Sequence, residues 1–196
     1  MLMRRKIALA IALPAAIAAT SVVNAGPAHA EYWSGGLPVA QFTVSNYNFN
    51  DTWQPGMDQA LSNWNNTATP AMITKSSSPK GKIYAQQYAD GWYGLYVYSG
   101  ARDSSRTFTI QLNARTIAAA QKSYGGTFKN WVTAIFVHEL GHGLSLKDNP
   151  STSSSTIMKY RTNWSTLTKP TSYDTTDVNK IYRTARAFAQ EEDFDA

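Results

Sequence analysis

The sequence predicts one domain of the α+β class. Strand-like segments come first along the chain and helix-like segments come later, without the strict alternation that a doubly wound sheet requires. About 166 of the 196 residues follow an expected N-terminal signal, which is enough for one well-buried core and too few for two. The chain contains no cysteine, so packing rather than disulfide bonds must hold the domain together.

Alternating and amphipathic patterns place the elements of the first half. The segment 37–45 alternates and is rich in Val, Phe and Thr, as a strand would be. Pro55 lies near the start of a helix whose apolar residues recur at helical spacing: Met57, Ala60, Leu61 and Trp64. Further strands are expected at 82–89, 91–98 and 107–113.

Two helices are expected in the second half. Residues 127–144 are typical of a helix buried on most sides, with one stripe formed by Trp131, Ile135, His138 and His142. A short Ala-rich stretch and Gly125-Gly126 lead into this helix. A final helix is expected from about residue 175, capped by Asp174, with these residues facing inward: Val178, Ile181, Tyr182, Ala185 and Phe188.

Residues 1–30 are typical of an export signal. "MLMRRK" is positively charged, "IALAIALPAAIAATSVV" is apolar, and "AHA" has the small-x-small pattern of a cleavage site. A second possible cut follows Ala25. Pro14 and the Ala-rich composition argue against a membrane anchor. We therefore expect residues 1–30 to be a signal peptide, residues 31–196 to be a single domain, and the mature protein to be secreted.

Removal of this signal would leave the domain almost neutral. The chain has 18 basic and 13 acidic residues, and the signal carries Arg4, Arg5 and Lys6, so the mature charge is 15 − 13, about +2. No run of Lys or Arg remains to bind a phosphate backbone. We therefore expect neither a nucleic acid nor, after cleavage, a membrane as partner, and we expect a monomer.

A zinc-binding motif lies in the buried helix. His138 and His142 are four residues apart, so on a helix both imidazoles can face one ion. Zinc lowers the pKa of a water that it binds, and Glu139 could then accept the proton of that water. The chain has three histidines, and the remaining one, His29, lies in the predicted signal. The motif therefore contains every histidine of the mature chain and predicts a zinc site.

The third protein ligand must be a carboxylate, since no further histidine and no cysteine is present. Asp148 lies six residues after His142, where the chain leaving the helix could turn back beneath the ion. Asp174 and Asp177 are alternatives, although both also suit the first turn of the last helix. We favour Asp148.

At this point the chain resembles the metzincin zinc endopeptidases. They share the H-E-x-x-H motif, a ligand six residues further on, and a later methionine turn, here "STIMKY". An aspartate as third ligand is similar to the snapalysins, and "YDTTDVNKIY" is similar to the last helix of matrixins. The resemblance covers about residues 37–190, and residues 138–160 carry its specific part. It implies a secreted zinc-dependent endopeptidase of a Gram-positive bacterium, with residues 31–196 as the catalytic domain and one catalytic Zn²⁺.

The resemblance also implies a fold and roles for further residues. The fold would be a small metzincin-like domain, with a twisted, mostly parallel sheet, an antiparallel edge strand, a central zinc-binding helix and a C-terminal helix. Met158 would form a floor beneath the metal, and Tyr160 would stabilise the oxyanion. Protein or peptide substrates would add to the edge strand as an extended chain. The substrate-binding residues would be Tyr93, Leu95, Tyr96, Arg161 and Trp164.

One residue departs from the family pattern. The family has glycine three residues after the second histidine, where the backbone turns back, whereas this chain has Ser145. A serine with a positive φ is costly. Either Gly143 moves the turn earlier or the serine is tolerated under strain.

A function of another class is also open. Six aromatic residues lie close together in the sequence and could form a stacking platform for glycans or cell-wall polymer: Tyr84, Tyr88, Trp92, Tyr93, Tyr96 and Tyr98. The protein would then be a secreted binding module with a structural or degenerate zinc site. Acidic residues are sparse and no run resembles a calcium loop, so structural calcium stays open.

Overall fold

The computed structural model of this protein describes residues 32–45, 49–160 and 162–192. The predicted signal peptide, residues 1–30, lies outside the described residues, and so does Arg161. The described strands are β1 (Gln41–Ser45), β2 (Met72–Ser76), β3 (Gly81–Gln86), β4 (Gly94–Ser99) and β5 (Thr107–Asn113). The described helices are α1 (Gln54–Asn65), α2 (Ala114–Tyr124), α3 (Phe128–Gly143) and α4 (Ser172–Glu192).

The five strands form one mixed sheet in the order β2-β1-β3-β5-β4. Strands β2, β1, β3 and β5 run parallel, and β4 runs antiparallel to β5 with Tyr96 opposite Ile110. Side chains alternate across β5: Phe108, Ile110 and Leu112 are buried, while the residues between them face the wetter side. Strand β4 lies at one edge and pairs only with β5 among the described strands.

Helix α3 is the centre of the core. Thr127 caps it by accepting a hydrogen bond from Asn130 N at 3.1 Å, and its residues from Trp131 to Gly143 are all buried. Helix α1 packs on it through Trp64, whose Nε1 donates to Val137 O at 2.9 Å. The side chain of Trp64 is wholly buried, so its truncation to alanine would cost about 3–5 kcal/mol. This packing places the backbone of His138 and His142 inside the core.

The sequence predicts three helices, one near Pro55, one at 127–144 and one from about residue 175, whereas the described residues form four. The Ala-rich stretch, to which the sequence assigns no element, belongs to α2. The Asn113 side chain accepts from Arg115 N and caps this helix, which buries Ile117 and Ala120 against the core. Several predicted boundaries also move: β1 begins at Gln41, β3 ends at Gln86, β4 begins at Gly94 and α4 begins at Ser172. Within the described residues, no helix has the length and apolar content needed to cross a bilayer.

Candidate metal centre

Three side chains meet at the C-terminal end of α3. The Nε2 atoms of His138 and His142 lie 3.0 and 3.3 Å from Asp148 Oδ1. These ligand atoms all lie within 4.8 Å of one another. The structure thus brings together the two histidines and the aspartate favoured by the sequence.

The two other aspartates considered as ligands lie elsewhere. Asp174 is buried and accepts hydrogen bonds from Thr156, Ile157 N and Thr171. Asp177 is also buried and is not part of the His138, His142 and Asp148 group.

Carbonyl contacts fix the tautomer of both histidines. His138 Nδ1 lies 2.9 Å from Ile157 O, and His142 Nδ1 lies 3.0 Å from Leu146 O. A carbonyl oxygen only accepts, so each Nδ1 carries the proton and each neutral ring presents a lone pair at Nε2. Such a partner on the outer nitrogen is the usual support of a metal-binding histidine.

A cation fits among these atoms. Asp148 Oδ1 is buried and has no hydrogen-bond partner, because the neighbouring Nε2 atoms are acceptors when Nδ1 carries the proton. Three acceptor atoms that face one another repel unless a cation or a proton lies between them. Two imidazole nitrogens and one carboxylate oxygen form a donor set that suits Zn²⁺ with an open fourth position.

The closeness of these side chains shifts the pKa values of Asp148 and His138 when no metal is bound. Burial opposes ionisation of Asp148, but contacts with His138 and His142 outweigh it and hold the carboxyl pKa below its usual range. Burial alone would lower the pKa of His138, whereas Asp148 and Glu139 raise it overall. In the metal-free protein a proton on His138 therefore competes with the cation for this position.

Glu139 lies at the same cavity without joining the ligand group. Its side chain is only 4% exposed, and burial raises the pKa of its carboxyl group. The first residue of β4, Gly94, lies against it, because a Cβ at Gly94 would overlap the Glu139 carboxylate. Glycine at this position lets the edge strand pass directly beside the carboxylate. The shared cavity has a volume of about 690 Å³, and its lining includes Trp33, Leu95, Glu139, Asp148 and Tyr160.

Met158 packs against Gly141 of α3, and the residue before it, Ile157, contacts both His138 and Asp174. A Cβ on Gly141 would come 2.6 Å from Met158 Sδ, so only glycine in α3 leaves room for the sulfur. The preceding residue, Ile157, offers its carbonyl to His138 and its amide to Asp174 Oδ2 at 3.1 Å. Asp174 therefore positions the turn that orients His138. Sequence reasoning assigned Asp174 only a cap or an alternative ligand role and missed this function.

The turn after α3 is built on the unfavourable serine. Ser145 has a φ of 62°. The turn therefore does not move to Gly143; the serine itself adopts the left-handed conformation, at a cost of about 1–2 kcal/mol. Ser145 N donates to His142 O and Leu146 N donates to Gly141 O, both at 3.0 Å. This pair of bonds is the Schellman arrangement of a helix end. The turn brings Leu146 O to His142 Nδ1 and directs the chain toward Asp148.

Tyr160 and Leu95 line the cavity from its open side. Tyr160 is 62% exposed. Partial burial and then the charge of Asp148 raise the pKa of its phenol, which keeps the proton on this group. Leu95 is half-exposed on the edge strand.

The other residues predicted to bind substrate have different surroundings. Tyr96 is mostly buried, since its ring stacks on Phe108 at 5.0 Å, and it also lines the cavity of the ligand group. Tyr93 and Trp164 line a second cavity of about 480 Å³, which Tyr160 also borders. The edge of the Trp164 ring contacts His138, with ring centroids 5.3 Å apart.

The aromatic platform proposed for glycans is divided in the structure. Tyr88 and Trp92 contact each other with centroids 4.7 Å apart, and Tyr84 is exposed. Tyr96 belongs to the core, and Tyr93 packs near Trp131 with centroids 5.9 Å apart. The six aromatic residues therefore do not present one continuous surface.

Trp33 was missed by sequence reasoning. Its ring meets the His142 ring edge-on, with centroids 5.1 Å apart, and it also contacts Tyr96 and Tyr98. Neither its spacing nor its neighbours in the sequence signal this contact, because the two partners are far apart in the chain. Trp33 thus forms part of the wall beside a predicted ligand.

Comparisons with known proteins bear on the fold. No family model matches the chain, and no curated protein matches it. Among solved structures, the chain is similar to a chain of the "GM1 bound form of the ECX AB5 holotoxin", with a TM-score of 0.52 and 16% identity over 74% of this chain and 80% of that chain. The metzincin-like fold class expected from the sequence is corrected accordingly: the described residues form a mixed five-stranded sheet with four helices, and their fold is similar to that of this holotoxin chain.

Proposed function

We propose that this chain is a zinc-dependent endopeptidase. His138, His142 and Asp148 would hold the metal, and Glu139 would act as the general base. The observation that carries the proposal is the convergence of two Nε2 lone pairs and an unsatisfied carboxylate oxygen beside a separate buried carboxylate. When bound, Zn²⁺ would supply Lewis acidity toward a carbonyl oxygen and lower the pKa of a water in the cavity.

Glu139 is suited to proton transfer. Burial raises its pKa from the usual value, which brings a carboxylate closer to the pH at which general bases work best. Its position against Gly94 places it between the ligand group and the edge strand. Glu139 would accept a proton from the attacking water and pass it to the leaving amine.

The edge strand β4 is suited to an extended peptide. Its outer edge has no strand partner among the described residues, and Leu95 faces the cavity. A peptide that adds to this edge gains backbone hydrogen bonds without regard to its sequence. Tyr160, at the mouth of the cavity, would donate a hydrogen bond to the developing oxyanion. We therefore propose protein or peptide substrates, acted on outside the cell after removal of residues 1–30.

The test is hydrolysis of a quenched peptide library by zinc-loaded protein, with and without a zinc chelator, beside Glu139→Gln. Cleavage is expected to stop with the chelator and to fall at least about 100-fold in Glu139→Gln, while zinc content stays at wild-type level. Asp58→Asn, a surface carboxylate that pairs with Lys75, is the matched control and should cleave normally. Undiminished cleavage by Glu139→Gln would rule out this mechanism. Retention on cell-wall polymer without any cleavage would favour the binding module.

A further inference from the structure

The hydroxyl of Ser145 lies at the centre of a buried polar cluster. Arg102 Nη2 donates to Ser145 Oγ at 3.1 Å, and Tyr182 Oη lies 3.3 Å from the same oxygen. Leu37 O accepts hydrogen bonds from three groups: Arg102 Nη2 at 2.8 Å, Tyr182 Oη at 3.0 Å and Ser145 Oγ at 3.3 Å. Ser145 is wholly buried. The cluster therefore links the β4–β5 hairpin, α4, the end of α3 and the segment before β1.

The segment 32–37, here called the N-terminal strap, lies directly on the Ser145 turn. Trp33 N donates to Ser145 O at 2.9 Å, and Leu37 N donates to Gly143 O at 3.0 Å. A Cβ on Gly36 would lie 2.5 Å from both the N and Cα atoms of Ser145. The strap thus supplies backbone partners at the point where the helix leaves its carbonyls unpaired.

The turn beneath the strap controls two metal ligands. Its conformation sets Leu146 O against His142 Nδ1 at 3.0 Å, and Asp148 follows two residues later. Glycine would adopt this left-handed turn unaided, whereas a serine rarely does. External contacts must therefore select the conformation that the metal site requires.

We propose that Ser145 is a positioning residue through which the N-terminal strap sets the metal affinity of the site. Arg102 and the Ser145 hydroxyl hold strap and turn together, so the left-handed turn forms when the strap is docked. With glycine at this position the turn would form independently of the strap. The inference rests on the proposed metal centre and not on peptide hydrolysis.

The test is a cycle of full-length proteins: wild type, Arg102→Ala, Ser145→Gly and the double variant. The zinc dissociation constant is measured by competition with a chromophoric chelator, and the visible spectrum of the Co²⁺-loaded protein reports ligand geometry. Arg102→Ala is expected to weaken zinc binding by at least about tenfold, as outer-shell changes do, and to alter the cobalt spectrum. In the Ser145→Gly background, the same change should alter zinc binding by less than about twofold.

Controls separate a positioning role from a loss of stability. Arg115→Ala removes another arginine that donates to backbone carbonyls, those of Tyr88, Ala89 and Asp90, and should leave zinc binding unchanged. Thermal unfolding of each metal-free protein reports whether it is folded. Should Arg102→Ala fail to fold, Tyr182→Phe takes its place in the cycle, since it removes one hydroxyl from the same cluster.

Two results overturn the inference while leaving the metal centre in place. The first is that Arg102→Ala binds zinc as tightly as the wild type although it unfolds at a lower temperature. The other is an equal loss of affinity with serine and with glycine at position 145. If the wild-type protein binds no zinc, both the metal centre and this inference are wrong.

Discussion

Asp148 Oδ1 lies 3.0 Å from His138 Nε2, and neither atom has a proton to share while His138 Nδ1 donates to Ile157 O. His142 repeats the relationship at 3.3 Å, with Leu146 O as the acceptor. Two carbonyl oxygens thus orient two imidazoles so that their lone pairs meet a buried carboxylate oxygen. While both rings are neutral, hydrogen bonding within the protein cannot satisfy this arrangement, whereas a cation or an added proton on His138 can.

Asp148→Asn should weaken zinc binding by more than about 100-fold, the upper end of the range for outer-shell partners, because it removes the charged ligand itself. Zinc content after dialysis and the competition constant measure the effect. Asp177→Asn is the matched control, since Asp177 lies outside the ligand group. If Asp177→Asn loses zinc and Asp148→Asn retains it, then Asp177 is the third ligand and the assignment of Asp148 is wrong.

The stability of the metal-free protein should fall as pH rises above neutrality. The pKa of His138 is raised from 6.5 in the folded protein, so the folded state binds a proton more tightly than the unfolded chain. Its contribution is fully present below about pH 6.5 and is lost as pH rises through the folded-state pKa. The raised pKa of Glu139 acts in the same direction.

Thermal unfolding between roughly pH 5 and pH 9, with and without zinc, measures this dependence. Zinc replaces the proton among the ligands, so the loaded protein should not lose this contribution as pH rises. Glu139→Gln removes the contribution of Glu139 and should reduce that of His138, because the Glu139 charge helps to raise the His138 pKa. A metal-free unfolding temperature that does not fall with pH would contradict the assigned electrostatics.

Local patterns in the sequence predicted local features well. The i, i+4 spacing of His138 and His142 places both imidazoles on one side of α3, and the alternation of Phe108, Ile110 and Leu112 matches the buried face of β5. Both features depend on neighbours in the chain, which periodicity records directly. The alternation of side chains along β1 and the apolar stripe of α1 predict a strand and a helix for the same reason.

Features that depend on distant contacts were not predictable. Trp33 meets His142 only because the strap folds back over the end of α3. Gly94 matters only because β4 passes beside Glu139. The sequence does not predict α2, because this helix depends on a cap from Asn113 and on burial against the core, which its Ala-rich sequence does not record.

Gly94→Ala should lower kcat/KM for peptide cleavage by about 100-fold, the effect of displacing a catalytic group by about 1 Å. The new Cβ would overlap the Glu139 carboxylate and force it or β4 to move. Zinc content should stay at wild-type level, because the three atoms nearest to the new Cβ all belong to Glu139 and not to a proposed ligand. Gly91→Ala is the matched control, since a Cβ there meets nothing within 4 Å. Equal activity in both variants would show that catalysis does not depend on the close approach of β4 to Glu139.

Tyr160→Phe should lower kcat by about 100-fold with little change in KM, as expected when a donor that acts only on the developing oxyanion is removed. The phenol is suited to this role because partial burial and the nearby Asp148 charge raise its pKa and keep it protonated. Steady-state cleavage of one library-derived peptide separates kcat from KM. Tyr124→Phe, an exposed tyrosine on the second cavity, should change neither constant. If Tyr160→Phe raises KM and leaves kcat unchanged, Tyr160 binds the substrate and does not stabilise the transition state.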